Sequence, residues 1–367
     1  MNLPLALLLA PVALFNGTVL TGWTQEGGRP SFFVEKGEIR TSGRGHAGNW
    51  LRTEREYGDF VLRFEIKPAQ WAEAGVLLRA ARSERPQHTG LTLILAHDFH
   101  KQTTPWVTGA IAGVRAPLNP VPPGFGEWRR VEIELRGARM RALVDGIVVQ
   151  DLDLDSVPEL RQRLKRGFIG FPDMGHGYAL RNLTVEDLGG TPGFVDLLGE
   201  GLTGWTRTGG GNWALKGDTL EGSNGHGIIY APGVWRDFMF SAVVRSHQRT
   251  NSGVFLRGKV PFKGGLERGF EVQVYSPVDA VYPTGSIYGL ARSRLQADLE
   301  GRWFLLQVRV EGRRVEVWVD GQAVAEVDEL PGGFPDEGRV GLQIHLEETR
   351  VGWRGFGGGG GGEGTRL

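Results

Sequence analysis

The sequence predicts an all-β protein built from two tandem two-sheet β-sandwiches. Three observations carry this: a chain crowded with turn formers, hydrophobic alternation of period two, and an internal repeat. The 367 residues include 58 glycines and 19 prolines. Each interior Gly costs a helix ~1 kcal/mol and each Pro ~3 kcal/mol, so long helices are disfavoured. With 40% hydrophobic residues, 18 Phe and 11 Trp, the chain has enough apolar volume to fill a core. The 42 basic and 42 acidic residues cancel, leaving no basic stripe for a phosphate backbone and excluding nucleic acid as a partner. Cysteine is absent, which removes thiol catalysis, thiolate metal sites and disulfides together.

Taken from the N-terminus, residues 1–13 (MNLPLALLLAPVA) hold a short apolar run that reads either as a structured first segment or as a signal-like segment. On the latter reading the protein is periplasmic or secreted. The run is far below the ~20 residues that span a bilayer, so no transmembrane span is expected. The repeat then begins. Leu20-Thr21-Gly22-Trp23 returns as Leu202-Thr203-Gly204-Trp205, Asp59-Phe60 as Asp237-Phe238, and Gly75-Val76-Leu77-Leu78-Arg79 as Gly253-Val254-Phe255-Leu256-Arg257. Further on, Thr108-Gly109-Ala110-Ile111-Ala112-Gly113 returns as Thr284-Gly285-Ser286-Ile287-Tyr288-Gly289, and Ile169-Gly170-Phe171 as Val340-Gly341-Leu342. The separation drifts smoothly from 182 residues to 171, as small insertions in one copy of a duplication would make it. Copy one is placed at 14–188 and copy two at 194–356, joined by a Gly-rich linker at 189–193. Residues 357–367 read as a Gly-rich flexible tail.

Within copy one, Val131, Ile133 and Leu135 alternate, Arg136-Gly137 turns the chain, Met140 to Val144 alternates again, and Asp145-Gly146 marks a two-residue hairpin. Copy two repeats this with Leu306, Val308 and Val310, then Val315, Val317 and Val319, then Asp320-Gly321. The segment Val157–Arg166 reads as a helical surface insertion. Asp151, Asp153 and Asp155 read as an edge strand protected from sheet-to-sheet pairing by charge.

Alternation also sorts each strand into a core face and an open face. In Gly269–Tyr275, Phe270, Val272 and Val274 face the core, so Glu271, Gln273 and Tyr275 share the open side. The matching strand of copy one keeps Leu91, Leu93 and Leu95 but carries Thr92, Ile94 and Ala96 instead of the polar set. Likewise Tyr288 faces Ala112 in the alignment, and Gln343 and His345 face Pro172 and Met174. Arg257 and Arg79 persist in both. A strand face bearing Glu, Gln, Tyr, His and Arg has the groups to bind a polyol and move a proton. Arg63, Glu65 and Lys67 read instead as an ordinary solvated face, and His97-Asp98-Phe99-His100 is too sparse a pattern to indicate a metal. No nucleophile elbow, His-Glu-x-x-His helix, phosphate loop or paired-carboxylate glycosidase strand is present.

The motifs Leu14-Phe15-Asn16-Gly17, Leu20-Thr21-Gly22-Trp23, Glu56-Tyr57-Gly58-Asp59-Phe60, Asn251-Ser252-Gly253-Val254-Phe255-Leu256-Arg257, Gly269-Phe270-Glu271-Val272-Gln273-Val274 and Thr284-Gly285-Ser286-Ile287-Tyr288-Gly289 resemble the bacterial 3-keto-disaccharide hydrolase family. The resemblance covers nearly the whole chain as two copies. It implies a concanavalin/laminin-G-like jelly roll, export from the cytoplasm, and action on glycosides already oxidised at the third sugar carbon. Such a substrate is cleaved by proton abstraction at C2, elimination of the C1 group and hydration.

On that basis copy two is the candidate active site and copy one a degenerate one. Glu271, His345 and Arg257 are the expected catalytic groups, and Asn251, Gln273, Tyr275, Tyr288 and Gln343 the substrate-binding ones. The resemblance gives Glu271 as the base or as a ligand of a divalent cation; Glu271 and His345 alone are too few ligands to establish a metal, so a divalent cation stays an open alternative and no cofactor is assigned. A non-catalytic lectin-like module and an exported scaffold remain the alternatives. Sugar, linkage, aglycone and oligomeric state are left open.

Overall fold

The computed structural model describes residues 10–44, 48–97, 103–190, 194–261, 265–277, 279–295 and 297–359. The chain divides into two compact units, residues 1–81 with 85–191, and residues 82–84 with 192–367. Each holds one eight-stranded and one five-stranded antiparallel sheet, and strand order is the same in both. In the second unit the five-stranded sheet runs Thr206–Gly209, Gly227–Tyr230, Arg339–Ile344, Ser252–Gly258, Phe270–Val274. In the first it runs Trp23–Glu26, Trp50–Tyr57, Gly167–Pro172, Ala74–Ala80, Leu91–Ala96.

Period-two alternation places the core between the two sheets of each unit. Val131, Ile133 and Leu135 are buried in the first unit and Leu306, Val308 and Val310 in the second. The hairpins follow from their turn residues. Asp145 and Gly146 have φ of 50° and 79°, and Asp320 and Gly321 have 45° and 75°, the left-handed pair that lets two residues join strands twisting the same way. The Asp side chain adds its own tie: Arg130 N–H donates to Asp145 Oδ1 at 2.7 Å, and Leu305 N–H to Asp320 Oδ1 at 2.9 Å. The repeated Leu-Thr-Gly-Trp is also a turn. Trp23 N–H reaches Leu20 O at 3.1 Å and Trp205 N–H reaches Leu202 O at 3.3 Å, delivering each indole onto a core phenylalanine.

Two expectations differ from the structure, and a third has two readings. Val157–Arg166 forms turns and no helix; so short a segment does not hold a helix by propensity alone, and it is anchored by Leu160, buried in the core with Val157 packed against it. Gly357–Gly359 are not tail but the last rungs of the Arg350–Gly359 strand, with Gly357 opposite both Ser241 and Asp196; backbone hydrogen bonds need no side chain. Val12 and Ala13, at the end of the signal-like segment, pair with Val185 and Thr184. Residues 1–9 of that segment, residues 360–367 of the tail, residues 191–193 of the linker and Asp98–His100 lie outside the described residues. Among the described residues, no helix is long and apolar enough to cross a membrane.

Candidate functional site

The outer face of the second unit's five-stranded sheet is ordered in rows by the strand register. Ile228, Gln343, Gly253 and Gln273 form one row; Tyr230, Gly341, Phe255 and Glu271 form the next. Ile287 bridges Val272, and Tyr288 N–H donates to Glu271 O at 2.9 Å, so Tyr288 extends the second row beyond Glu271 on the same face. On the other side of the Gln343 row, His345 N–H donates to Asn251 O at 3.2 Å. Seven of the eight expected residues therefore share one sheet face: Asn251, Glu271, Gln273, Tyr275, Tyr288, Gln343 and His345.

Two glycines make a floor on this face. A Cβ at Gly253 would lie 2.4 Å from Glu271 Oε1 and 2.9 Å from its Cγ, and one at Gly341 would lie 2.6 Å from the Tyr230 ring. Glu271 thus lies down over Gly253 instead of projecting into water. The Gln273 amide nitrogen, turned toward it, donates to Glu271 Oε1 and to Ser252 O, each at 3.0 Å. Burial raises the Glu271 carboxyl from 4.5 to about 7, opposed by the nearby Arg268 guanidinium. On the strand beside Gly253, Gln343 is 8% exposed and its Oε1 has no hydrogen-bond partner. A buried acceptor without a donor is costly, and a ligand hydroxyl would satisfy it.

His345 stands one strand over and two residues along from Gly253, roughly 8 Å between Cα positions at standard strand spacing. Its ring meets His226 edge-on, with centroids 4.7 Å apart. Burial, then His226, then Arg268 push its pKa below the ordinary histidine value. It flanks the carboxylate and is not hydrogen-bonded to it.

Arg257 does not belong to this face. It sits at a bulge in its strand with φ of 59°, which turns the side chain away from the row of Gly253 and Phe255. Its guanidinium is 1% exposed and donates to Arg236 O at 2.8 Å and Asp237 Oδ1 at 3.3 Å. Asp237 in turn accepts from Gly312 N–H at 2.7 Å. The first unit repeats the clip: Arg79, φ 53°, donates to Gly58 O, Gly137 O and Asp59, and Asp59 accepts from Gly137 N–H. An arginine kept in both copies is here a strut joining the two sheets of each sandwich. The cation of the site is Arg268, which alternation along the strands did not reveal, nor did it reveal His226. Arg268 lies 5.4 Å from the Phe255 ring centroid, and its backbone O accepts from Tyr230 Oη at 3.1 Å.

Apolar packing on this face is common to both units: Ile228, Tyr230 and Phe255 cluster in the second, and the first unit has its own cluster. Trp50, Leu77, Ala80 and Phe168 form an apolar cluster there. Trp50 lies against Gly170, whose Cβ would come within 2.3 Å of its ring. Thr92 occupies the place of Glu271, and the position of Arg268 is taken by Thr89, buried and bonded to Ala81 N–H and Pro86 O. A groove of about 660 Å³ in this unit lies on the opposite, eight-stranded sheet, around Trp128, Arg63, Glu65 and Glu132. Its charges are cross-strand pairs, Arg63 with Glu132 at 2.7 Å and Arg181 with Glu65 at 2.6 Å, the arrangement of a solvated sheet face. Among the described residues no three His, Asp or Glu side chains come together as a metal site.

The model of the 3-keto-alpha-glucoside-1,2-lyase-like domain family matches the chain twice, over residues 10–186 and 193–355. Comparison with curated proteins finds no match. Among solved structures, the chain is similar to a Parabacteroides distasonis protein described as a "putative glycosyl hydrolase", with 18% identity and a TM-score of 0.42 over 48% of this chain and 93% of that one. It is also similar to the carbohydrate-binding module CBM66 from Bacillus subtilis, with 16% identity and a TM-score of 0.31 over 43% of this chain and 96% of that one.

Proposed function

Because the chain belongs to the 3-keto-alpha-glucoside-1,2-lyase-like domain family, matched in two copies, we propose that its second unit cleaves 3-keto-glucosides by elimination and hydration, with Glu271 as the base. One observation carries the assignment: a carboxylate laid over a glycine floor, poised by burial near pH 7, beside an acceptor that lacks a donor.

A ketone at C3 acidifies the C2 proton. Glu271 takes that proton, and the electron pair moves into the C2–C3 bond as the carbonyl becomes an enolate. Arg268 supplies positive charge for the enolate oxygen, in place of Arg257, whose side chain is buried in the strut. The enolate re-forms the ketone as the C1–O bond breaks. The leaving oxygen departs as an alcohol, taking a proton from the newly formed Glu271 carboxylic acid. Water then adds at C1 and a proton returns to C2, so the net change is hydrolysis. A carboxyl near 7 suits this cycle because it both accepts and returns a proton at neutral pH. Gln273 holds one carboxylate oxygen in place, and Gln343, Asn251 and His345 face the sugar hydroxyls.

In the first unit Thr92 offers no base where the second has Glu271, so that unit is proposed to carry no chemistry. Turnover of a methyl 3-keto-α-glucoside by wild type and by Glu271→Gln tests the assignment. Full activity in the variant removes Glu271 as base. Binding of glucosides without cleavage of any keto-glucoside leaves a lectin-like module.

A further inference from the structure

The row that contains Glu271 ends in an exposed aromatic lip. Tyr288, next to Glu271 by its backbone hydrogen bond, is 51% exposed, and Tyr282 packs on it with ring centroids 5.1 Å apart at 52°. Val281, adjacent to Tyr282, is 72% exposed. The loop bearing them is fixed at its base, where Thr284 N–H donates to Tyr275 O at 2.8 Å and Tyr275 N–H to Thr284 Oγ1 at 3.0 Å. An exposed tyrosine backed by a half-buried one, next to an exposed valine on a tied loop, is an apolar patch continuous with a polar site.

The two ends of this face read different chemistry. Over Gly253 the side chains are amides and a carboxylate, which recognise hydroxyls; beyond Glu271 they are rings and a branched alkyl group, which recognise an apolar surface. A bond broken beside Glu271 joins a sugar on the polar side to its leaving group on the other. We infer that the lip formed by Tyr282, Tyr288 and Val281 is a leaving-group subsite that selects glucosides with an aromatic aglycone. The inference rests on the proposed function for its orientation. Its test does not need turnover.

Unoxidised glucosides lack the C3 ketone and cannot eliminate, so binding is read without chemistry. Phenyl and methyl α-glucoside are titrated by calorimetry into the full chain. The phenyl compound is expected to bind about three- to tenfold more tightly, the range of an aromatic contact. Tyr288→Ala brings the ratio close to one, and Tyr288→Phe preserves it, because the ring and not the hydroxyl makes the contact. Tyr288 is exposed and keeps its backbone hydrogen bond in either variant, so folding is not at issue. A phenyl glucoside that binds no better than the methyl one, undetectable binding of both included, overturns the inference. So does a ratio that survives both Tyr288→Ala and Tyr282→Ala. If the phenyl preference holds but no 3-keto-glucoside is cleaved, the elimination chemistry fails and the subsite stands.

Discussion

Replacing Glu271 by Gln separates activity from stability in opposite directions. The carboxyl rises from 4.5 to about 7 because burial penalises its charged form. Between these values the folded state holds a proton that the unfolded chain has released, so stability falls as pH rises through that window. The accumulated cost above pH 7 is about 3 kcal/mol, since a tenfold change in proton affinity is worth about 1.36 kcal/mol. Gln fits the same space and still accepts from the Gln273 amide, but carries no charge to desolvate. Glu271→Gln is therefore expected to match wild type in denaturant stability at pH 4.5 and to exceed it by up to about 3 kcal/mol at pH 8.5. Its kcat/KM on a 3-keto-α-glucoside falls ~10²- to 10⁴-fold, the usual contribution of a positioned base. Wild-type kcat/KM should rise with pH to a plateau above about 7. A variant with the wild type's pH–stability curve, or with undiminished turnover, refutes the placement of a buried, catalytically needed carboxyl at 271.

Two further substitutions probe the parts around it. Gly253→Ala puts a Cβ 2.4 Å from Glu271 Oε1; the flexible side chain swings aside, so stability barely changes, while kcat drops ~10- to 100-fold through misplacement of the base. The paired change Gly75→Ala in the first unit meets Leu93 O at 3.0 Å and should leave kinetics alone. Arg257→Met removes the buried guanidinium from Arg236 O and from Asp237, whose half-exposed carboxylate keeps the Gly312 N–H, and denaturant unfolding should show a loss of about 1.5 to 3 kcal/mol. At a temperature where it remains folded, its KM and kcat should equal those of wild type; a selective fall in kcat would return Arg257 to the site.

The sequence made the architecture legible because β alternation and Asp-Gly turns are local signals, and because the duplication wrote each signal twice. Comparing the copies also located the open face: Leu91, Leu93 and Leu95 persist where Glu271 and Gln273 have no counterpart. The same comparison misled at Arg257. Strict alternation put it beside Phe255, but a left-handed residue at the bulge breaks the alternation, and its retention in both copies marked a shared strut. Arg268 and His226 were missed because each stands just before a strand, where periodicity says nothing of direction. The available signal was again asymmetry: Arg268 precedes Gly269 where the first copy has Thr89 before Gly90. The close approach of Glu271 to Gly253 needed coordinates, since it depends on which rows the register brings side by side.

The central claim, that cleavage passes through loss of the C2 proton to Glu271, is tested most directly by running the reaction in heavy water. Wild type acting on a methyl 3-keto-α-glucoside should release 3-keto-glucose carrying one solvent deuterium at C2 per turnover, above the background exchange measured with Glu271→Gln. Product released at the same rate with its original hydrogen still on C2 would contradict the account.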